Sequence, residues 1–107
     1  MLRIKNDVLY QKDYRISDGM SVFEYALANS QEINAADPIA VVSVDNKYME
    51  LNLAGAIIYE CLEKDENIPA ICSIFEKLFG VTSEKAKESI ATFCSKLIEK
   101  GVVEEMN

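Results

Sequence analysis

A chain of 107 residues, 50% apolar and 27% charged, has room for one globular domain with its own core. Its net charge of −7 repels phosphate backbones and suits a basic partner, or serves solubility alone. It contains no His, which removes the commonest general base, a main metal ligand and any Ser-His or Cys-His nucleophile pair.

The front third is irregular. MLRIKNDVLYQKDYR carries charges throughout and has no apolar h-region, so it does not read as a secretory signal. No apolar run in the chain approaches the roughly 18 to 20 residues of a membrane span, and a cytoplasmic location is the default expectation. Val8 to Ile16 is a candidate strand with poor alternation, and Ser17-Asp18-Gly19 is a turn. In Met20 to Ser30, the residues Val22, Phe23, Ala26 and Leu27 fit one helix face, while SVFEY alone makes a passable strand. A helix is the expectation. Asn29 to Asp37 is polar and reads as a loop.

From Pro38 the signals sharpen. Ile39 to Val44 is rich in β-branched residues and predicts a strand. Asp45 and Asn46 both tolerate positive φ and predict a two-residue turn. Lys47 to Leu51 returns as the second strand. With that loop, Val44 opposes Lys47, Val42 opposes Met49, and Ala40 opposes Leu51, on the face assigned to the core. Ile39, Val41, Ser43, Tyr48 and Glu50 point the other way, onto a face apolar enough to expect a cover. Asn52 is the N-cap of a first helix, about Leu53 to Lys64, with Leu53, Ala56, Ile57, Ile58, Cys61 and Leu62 at helical spacing. Lys64 to Asn67 is a charged turn. Asn67 caps a second helix with Pro69 in its first turn and a stripe of Ile71, Cys72, Ile74, Phe75, Leu78 and Phe79. Gly80 ends it in the left-handed conformation. Thr82 or Ser83 caps a third helix that runs to about Lys100, with Ala86, Ile90, Phe93, Cys94, Leu97 and Ile98 as its stripe. Gly101 closes it, and Val102-Val103 is an apolar tail able to pack back. The cysteines Cys61, Cys72 and Cys94 sit 11 and 22 residues apart, match no metal or redox motif, and read as buried inert thiols.

Strand, strand, helix, helix, helix predicts an α+β fold, a winged-helix-like unit with a small antiparallel sheet of two or three strands followed by three helices. Here the residues also resemble a family. The carriers are a strand ending in Leu51-Asn52, then Ala54-Gly55-Ala56-Ile57 opening a helix. A helix ending in Leu78-Phe79-Gly80-Val81 follows, and last a helix whose Phe93, Leu97 and Gly101 precede Val102-Val103-Glu104. Over about residues 39–105 this is similar to the PqqD-like proteins, the RiPP recognition elements. The turn at Lys64 to Asn67 lacks the Gly usual in the family, and Gly19 to Pro38 is longer than the family's usual link between its first two strands.

The resemblance implies one peptide-binding domain over 1–107, in which 17–38 is an irregular or helical insertion. It implies a non-catalytic chaperone without a cofactor. Such a protein binds the leader of a ribosomally made precursor peptide and presents it to a modifying enzyme, often a radical SAM enzyme. The leader adds as a strand to the last strand of the sheet and packs against the third helix. Carried over, that edge is Lys47, Tyr48, Met49, Glu50 and Leu51. The helix wall is Lys85, Glu88, Ser89, Thr92, Ser95 and Lys96. An open edge offers main-chain groups that a peptide can satisfy. The plainer alternative makes Lys47 and Glu50 edge-protecting charges and the helix residues a solvated face.

Two other classes compete. A winged-helix DNA-binding regulator would place the third helix in the major groove. Residues 82–101 carry a net charge of only +1 and no Arg, whereas base and phosphate contacts favour Arg or dense Lys. An adaptor would form a homodimer by covering Val41 and Tyr48 with a second copy. An enzyme is the least expected class, since there is no glycine-rich phosphate loop and no metal-ligand cluster.

Overall fold

A computed structural model describes residues 2–29 and 31–105. In chain order the elements are β1 (Leu2–Ile4), β2 (Leu9–Lys12), α1 (Val22–Ala28), β3 (Ala40–Val44), β4 (Lys47–Leu51), α2 (Leu53–Glu63), α3 (Ile68–Phe79), α4 (Ser83–Glu99) and β5 (Val103–Glu105). The fold is α+β. The chain forms two compact units, one from Asp7 to Glu60, the other from the two terminal segments, up to Asn6 and from Cys61 on.

In the first unit, β2, β3 and β4 form an antiparallel sheet in the order β2-β3-β4. Asp45 and Asn46 stand at φ 51° and 64°, the two left-handed positions of a type I′ turn. This turn sets the predicted register, with Val44 opposite Lys47, Val42 opposite Met49 and Ala40 opposite Leu51. The inner face is buried at Ala40, Val42, Val44 and Leu51. Ile39 is also buried, although alternation assigns it outward. It precedes the strand, and its N–H donates to Leu51 O at 2.8 Å while its carbonyl accepts from Asp13 N at 2.8 Å, so alternation does not govern it.

Asn52 caps α2 as its type predicts, its Oδ1 accepting from Gly55 N at 3.0 Å. The helix is buried at every position from Gly55 to Leu62, as expected of a segment apolar nearly all round. The exception in that run is Glu60, 7% exposed. Its Oε2 accepts from Tyr10 Oη at 2.7 Å and its Oε1 from Val22 N at 2.8 Å. Val22 opens α1, where main-chain N–H groups have no helical acceptor, so the carboxylate joins β2, α2 and the positive end of α1. The Tyr10 and Tyr59 rings stack with centroids 4.5 Å apart.

The helical reading of Val22 to Ala28 holds, and a capping box decides it. Ser21 Oγ accepts from Glu24 N, and Glu24 Oε1 accepts from Ser21 N, both at 3.0 Å. Ser30, the last residue of the predicted helix, lies outside the described residues. Lys12 Nζ ties down the approach to α1, donating to the carbonyls of Ser17, Asp18 and Met20.

In the second unit α3 and α4 pack together and β1 pairs antiparallel with β5, Leu2 opposite Glu105 and Ile4 opposite Val103. Asn67 caps α3, accepting from Ala70 N at 2.9 Å, and Gly80 ends it at φ 65°. Thr82 caps α4 by accepting from Lys85 N, and Gly101 at φ 78° turns the chain into β5. The Gly missing from the Lys64 to Asn67 turn is replaced by Asp65 at φ 57°, a residue type that tolerates the left-handed region. The turn closes with Glu66 N donating to Cys61 O at 3.0 Å. The apolar tail leads into the strand β5, with Val102 and Val103 each 1% exposed. An ion pair between Arg3 and Glu104 flanks the β1–β5 pairing.

Candidate peptide-binding edge

β4 is an edge strand, paired with β3 on one side and with no strand on the other among the described residues. The turn fixes which of its groups face outward. A two-residue type I′ loop makes Val44 and Lys47 a hydrogen-bonded pair, and antiparallel pairs alternate. Val42–Met49 is therefore bonded too, and the main chains of Lys47 and Met49 face β3. Tyr48 and Glu50 turn their N–H and C=O groups away from it, to the open edge. Leu51 O is taken by Ile39 N.

The five strand residues thus differ in what they offer. Lys47, Tyr48 and Glu50 have exposed side chains, with Tyr48 75% exposed. Met49 is half-buried, and Leu51 is 0% exposed, so its side chain belongs to the core. The outer sheet face gains Leu9 from β2, opposite Ser43, and Leu9 is 72% exposed. On this face Val41 and Ser43 are half-buried, while Tyr48 and Glu50 are exposed. α1 meets α2 through Val22 and Glu60.

On α4 the residues Lys85, Glu88, Ser89, Thr92, Ser95 and Lys96 are all exposed. At about 100° per residue they form one stripe, opposite the buried Ala86, Ile90 and Leu97. Ser95 borders a different feature of the second unit. With Ala91, Cys94 and Ile98 it lines a cleft of about 480 Å³, closed by the α2–α3 turn and the ends of β1 and β5. Ile98, expected in the core stripe, is 39% exposed there. The cleft was not legible in the sequence, because its acidic residues come from a turn and a strand end far apart in the chain. All three cysteines are buried and none forms a disulfide among the described residues, and burial pushes the Cys94 thiol above its ordinary pKa. Among the described residues no group of three or more His, Cys, Asp or Glu could hold a metal ion. No helix there is long and apolar enough to cross a membrane.

A family model described as coenzyme PQQ synthesis protein D (PqqD) matches residues 31–103, more than half of the chain. The span takes in β3, β4 and the three following helices, and leaves β2 and α1 outside it. No curated protein and no solved structure matches the chain. Members of the matching family are non-catalytic, peptide-binding partners of biosynthetic enzymes. The chain belongs to the PqqD family, the RiPP recognition elements.

Proposed function

We propose that the protein is a peptide chaperone without catalytic activity. It takes the leader segment of a ribosomally made precursor peptide as an added strand on β4 and presents it to a modifying enzyme of the radical SAM class. The observation that carries this reading is the open β4 edge, where register leaves the main-chain groups of Tyr48 and Glu50 facing outward. Backbone groups accept any peptide in extended form, so selectivity rests on side chains beside them.

Magnitudes say how much the side chains must add. Four main-chain hydrogen bonds at about 1 kcal/mol each give about 4 kcal/mol, near a millimolar constant. A micromolar complex takes about 8 kcal/mol, so side chains supply at least half. Lys47, Tyr48 and Glu50 are the sources on the strand itself. The exposed α4 residues Lys85, Glu88, Ser89, Thr92, Ser95 and Lys96 are a separate candidate set, and their mixed charges suit a leader with both signs.

The test is calorimetry and amide spectroscopy with the leader encoded beside the gene. Heat of binding, with shifts at Lys47 to Leu51, is the expected result. Absence of both overturns the reading.

A further inference from the structure

We infer that the β4 edge selects its peptide by the order of four consecutive residues, which from the N-terminal side are basic, apolar, aromatic and acidic; the inference rests on the strand-addition reading and names the peptide that edge would take. The sheet is antiparallel throughout, and an added strand continues it most favourably in the same sense. Tyr48 and Glu50 face the open edge with their main chains, so the peptide residue opposite each exchanges two hydrogen bonds with it. A peptide running this way places successive residues opposite Glu50, Met49, Tyr48 and Lys47. Side chains alternate between faces, so those opposite Glu50 and Tyr48 lie on the outer face of the sheet and the other two on the inner face.

Each of the four positions has its own chemistry. Leu9 stands opposite Ser43, and Ser43 opposite Tyr48, so these three form one row across the outer face. Leu9 and Tyr48 are 72% and 75% exposed, and an aromatic side chain beside Tyr48 lengthens the row and covers apolar surface. The neighbouring row is Gln11, Val41 and Glu50, which holds no cation. The Glu50 carboxylate is exposed and forms no hydrogen bond or ion pair with a described side chain, so a basic residue opposite complements it. On the inner face Met49 is half-buried and its opposite residue belongs to a non-hydrogen-bonded pair, the closer kind, which suits an apolar side chain. Lys47 is exposed beside Val44, equally without an ion pair among the described residues, and calls for an acidic residue. A peptide with the two charges exchanged sets like against like at both positions, which is destabilising. If Lys47 and Glu50 serve only to keep other strands off the edge, the order of charges in a peptide has no effect.

The test follows amide shifts of the full chain during titration with two synthetic octapeptides of identical composition. The first is Ser-Thr-Lys-Val-Phe-Asp-Thr-Ser, and the second is Ser-Thr-Asp-Val-Phe-Lys-Thr-Ser. Shifts at Lys47 to Leu51 are expected from the first, with about tenfold weaker binding of the second, from about threefold at each charge pair. Equal or tighter binding of the second overturns the order. Replacing Phe by Ser in the first peptide should weaken it about tenfold, and unchanged binding overturns the role of Tyr48. The double variant Lys47→Glu with Glu50→Lys should prefer the second peptide. A folded double variant that keeps the original preference overturns the pairing, and the comparison on the unaltered chain stands even if the variant does not fold. A leader that binds at Lys47 to Leu51 while neither octapeptide does overturns the order and leaves the chaperone reading standing. A leader that fails to bind there overturns the chaperone reading, and the two octapeptides still decide the order.

Discussion

Glu60 ties three segments of the first unit together. It is a carboxylate inside the apolar run Ile57 to Leu62, and it is held by two donors, Tyr10 Oη and Val22 N. Glu60→Ala leaves both donors without this acceptor, and a loss of about 3 kcal/mol is expected from chemical denaturation. Tyr10→Phe removes one of the two bonds and should cost about 1 kcal/mol. Because the two act as a unit, the double variant should lose less than the sum of the singles, and strict additivity would rule out the coupling. A second residue-scale expectation concerns Cys94. Burial raises its thiol pKa, so the folded state disfavours the thiolate relative to the unfolded chain. Its contribution to stability is fully present below the ordinary thiol pKa and is lost as the pH rises through the raised folded value. Ellman's reagent should therefore react slowly with the native thiols near neutral pH and rapidly in denaturant; fast reaction of Cys94 in the native state would contradict its burial.

At the scale of elements, β4 makes the sharpest prediction, because adjacent residues should respond oppositely to proline. Tyr48→Pro and Glu50→Pro each remove an N–H that points off the open edge, where proline is tolerated. Each should leave the fold intact and weaken leader binding about tenfold. Met49→Pro removes an N–H directed at β3 and should unfold the sheet, as circular dichroism would read. If Tyr48→Pro unfolds the protein and Met49→Pro does not, the register argument fails. Helix ends give a companion test. Gly80 stands at φ 65° with nothing within 4 Å of an added Cβ, so Gly80→Ala costs backbone strain alone, about 1 kcal/mol as obtained from chemical denaturation. The elements that were legible in the sequence carry such local signals: Asn46 in the hairpin turn, Asn52 and Asn67 as caps, and Gly80 and Gly101 as stops. Ser21-x-x-Glu24 is equally local and settles α1, although its apolar pattern also fits a strand. The pairing of β1 with β5 was not legible, since three-residue strands carry no periodicity and their partners lie at opposite ends of the chain. Glu60 was missed for a related reason. An acidic residue in an apolar helix gives no sign of its partners, which lie 50 and 38 residues earlier.

For the whole molecule, charge separates the functions this arrangement could serve. The two helices α3 and α4 have the order a helix-turn-helix would use, and shape alone does not exclude a nucleic-acid partner. The chain as a whole carries −7, and residues 82–101 carry only +1 without any Arg. Specific DNA binders neutralise several phosphates and lose affinity steeply as salt rises. This chain cannot gather such a count on α4, where Glu84, Glu88 and Glu99 stand among the four lysines. The same acidity favours a partner with basic residues. The edge was legible because a strand's pairing follows from its turn; the cleft was not, because it depends on tertiary closure of Asp65, Glu66 and Glu105. The decisive comparison is a polarisation titration of the full chain with random duplex DNA and with the leader peptide, at low and at physiological salt. Leader binding that survives the higher salt, with no measurable duplex binding at either, is the expected outcome. Strand addition places most of the energy in hydrogen bonds and apolar contacts, which salt screens weakly, whereas phosphate contacts respond in proportion to their number. Tight duplex binding that collapses with salt would transfer the function to α4 and leave the β4 edge without a role.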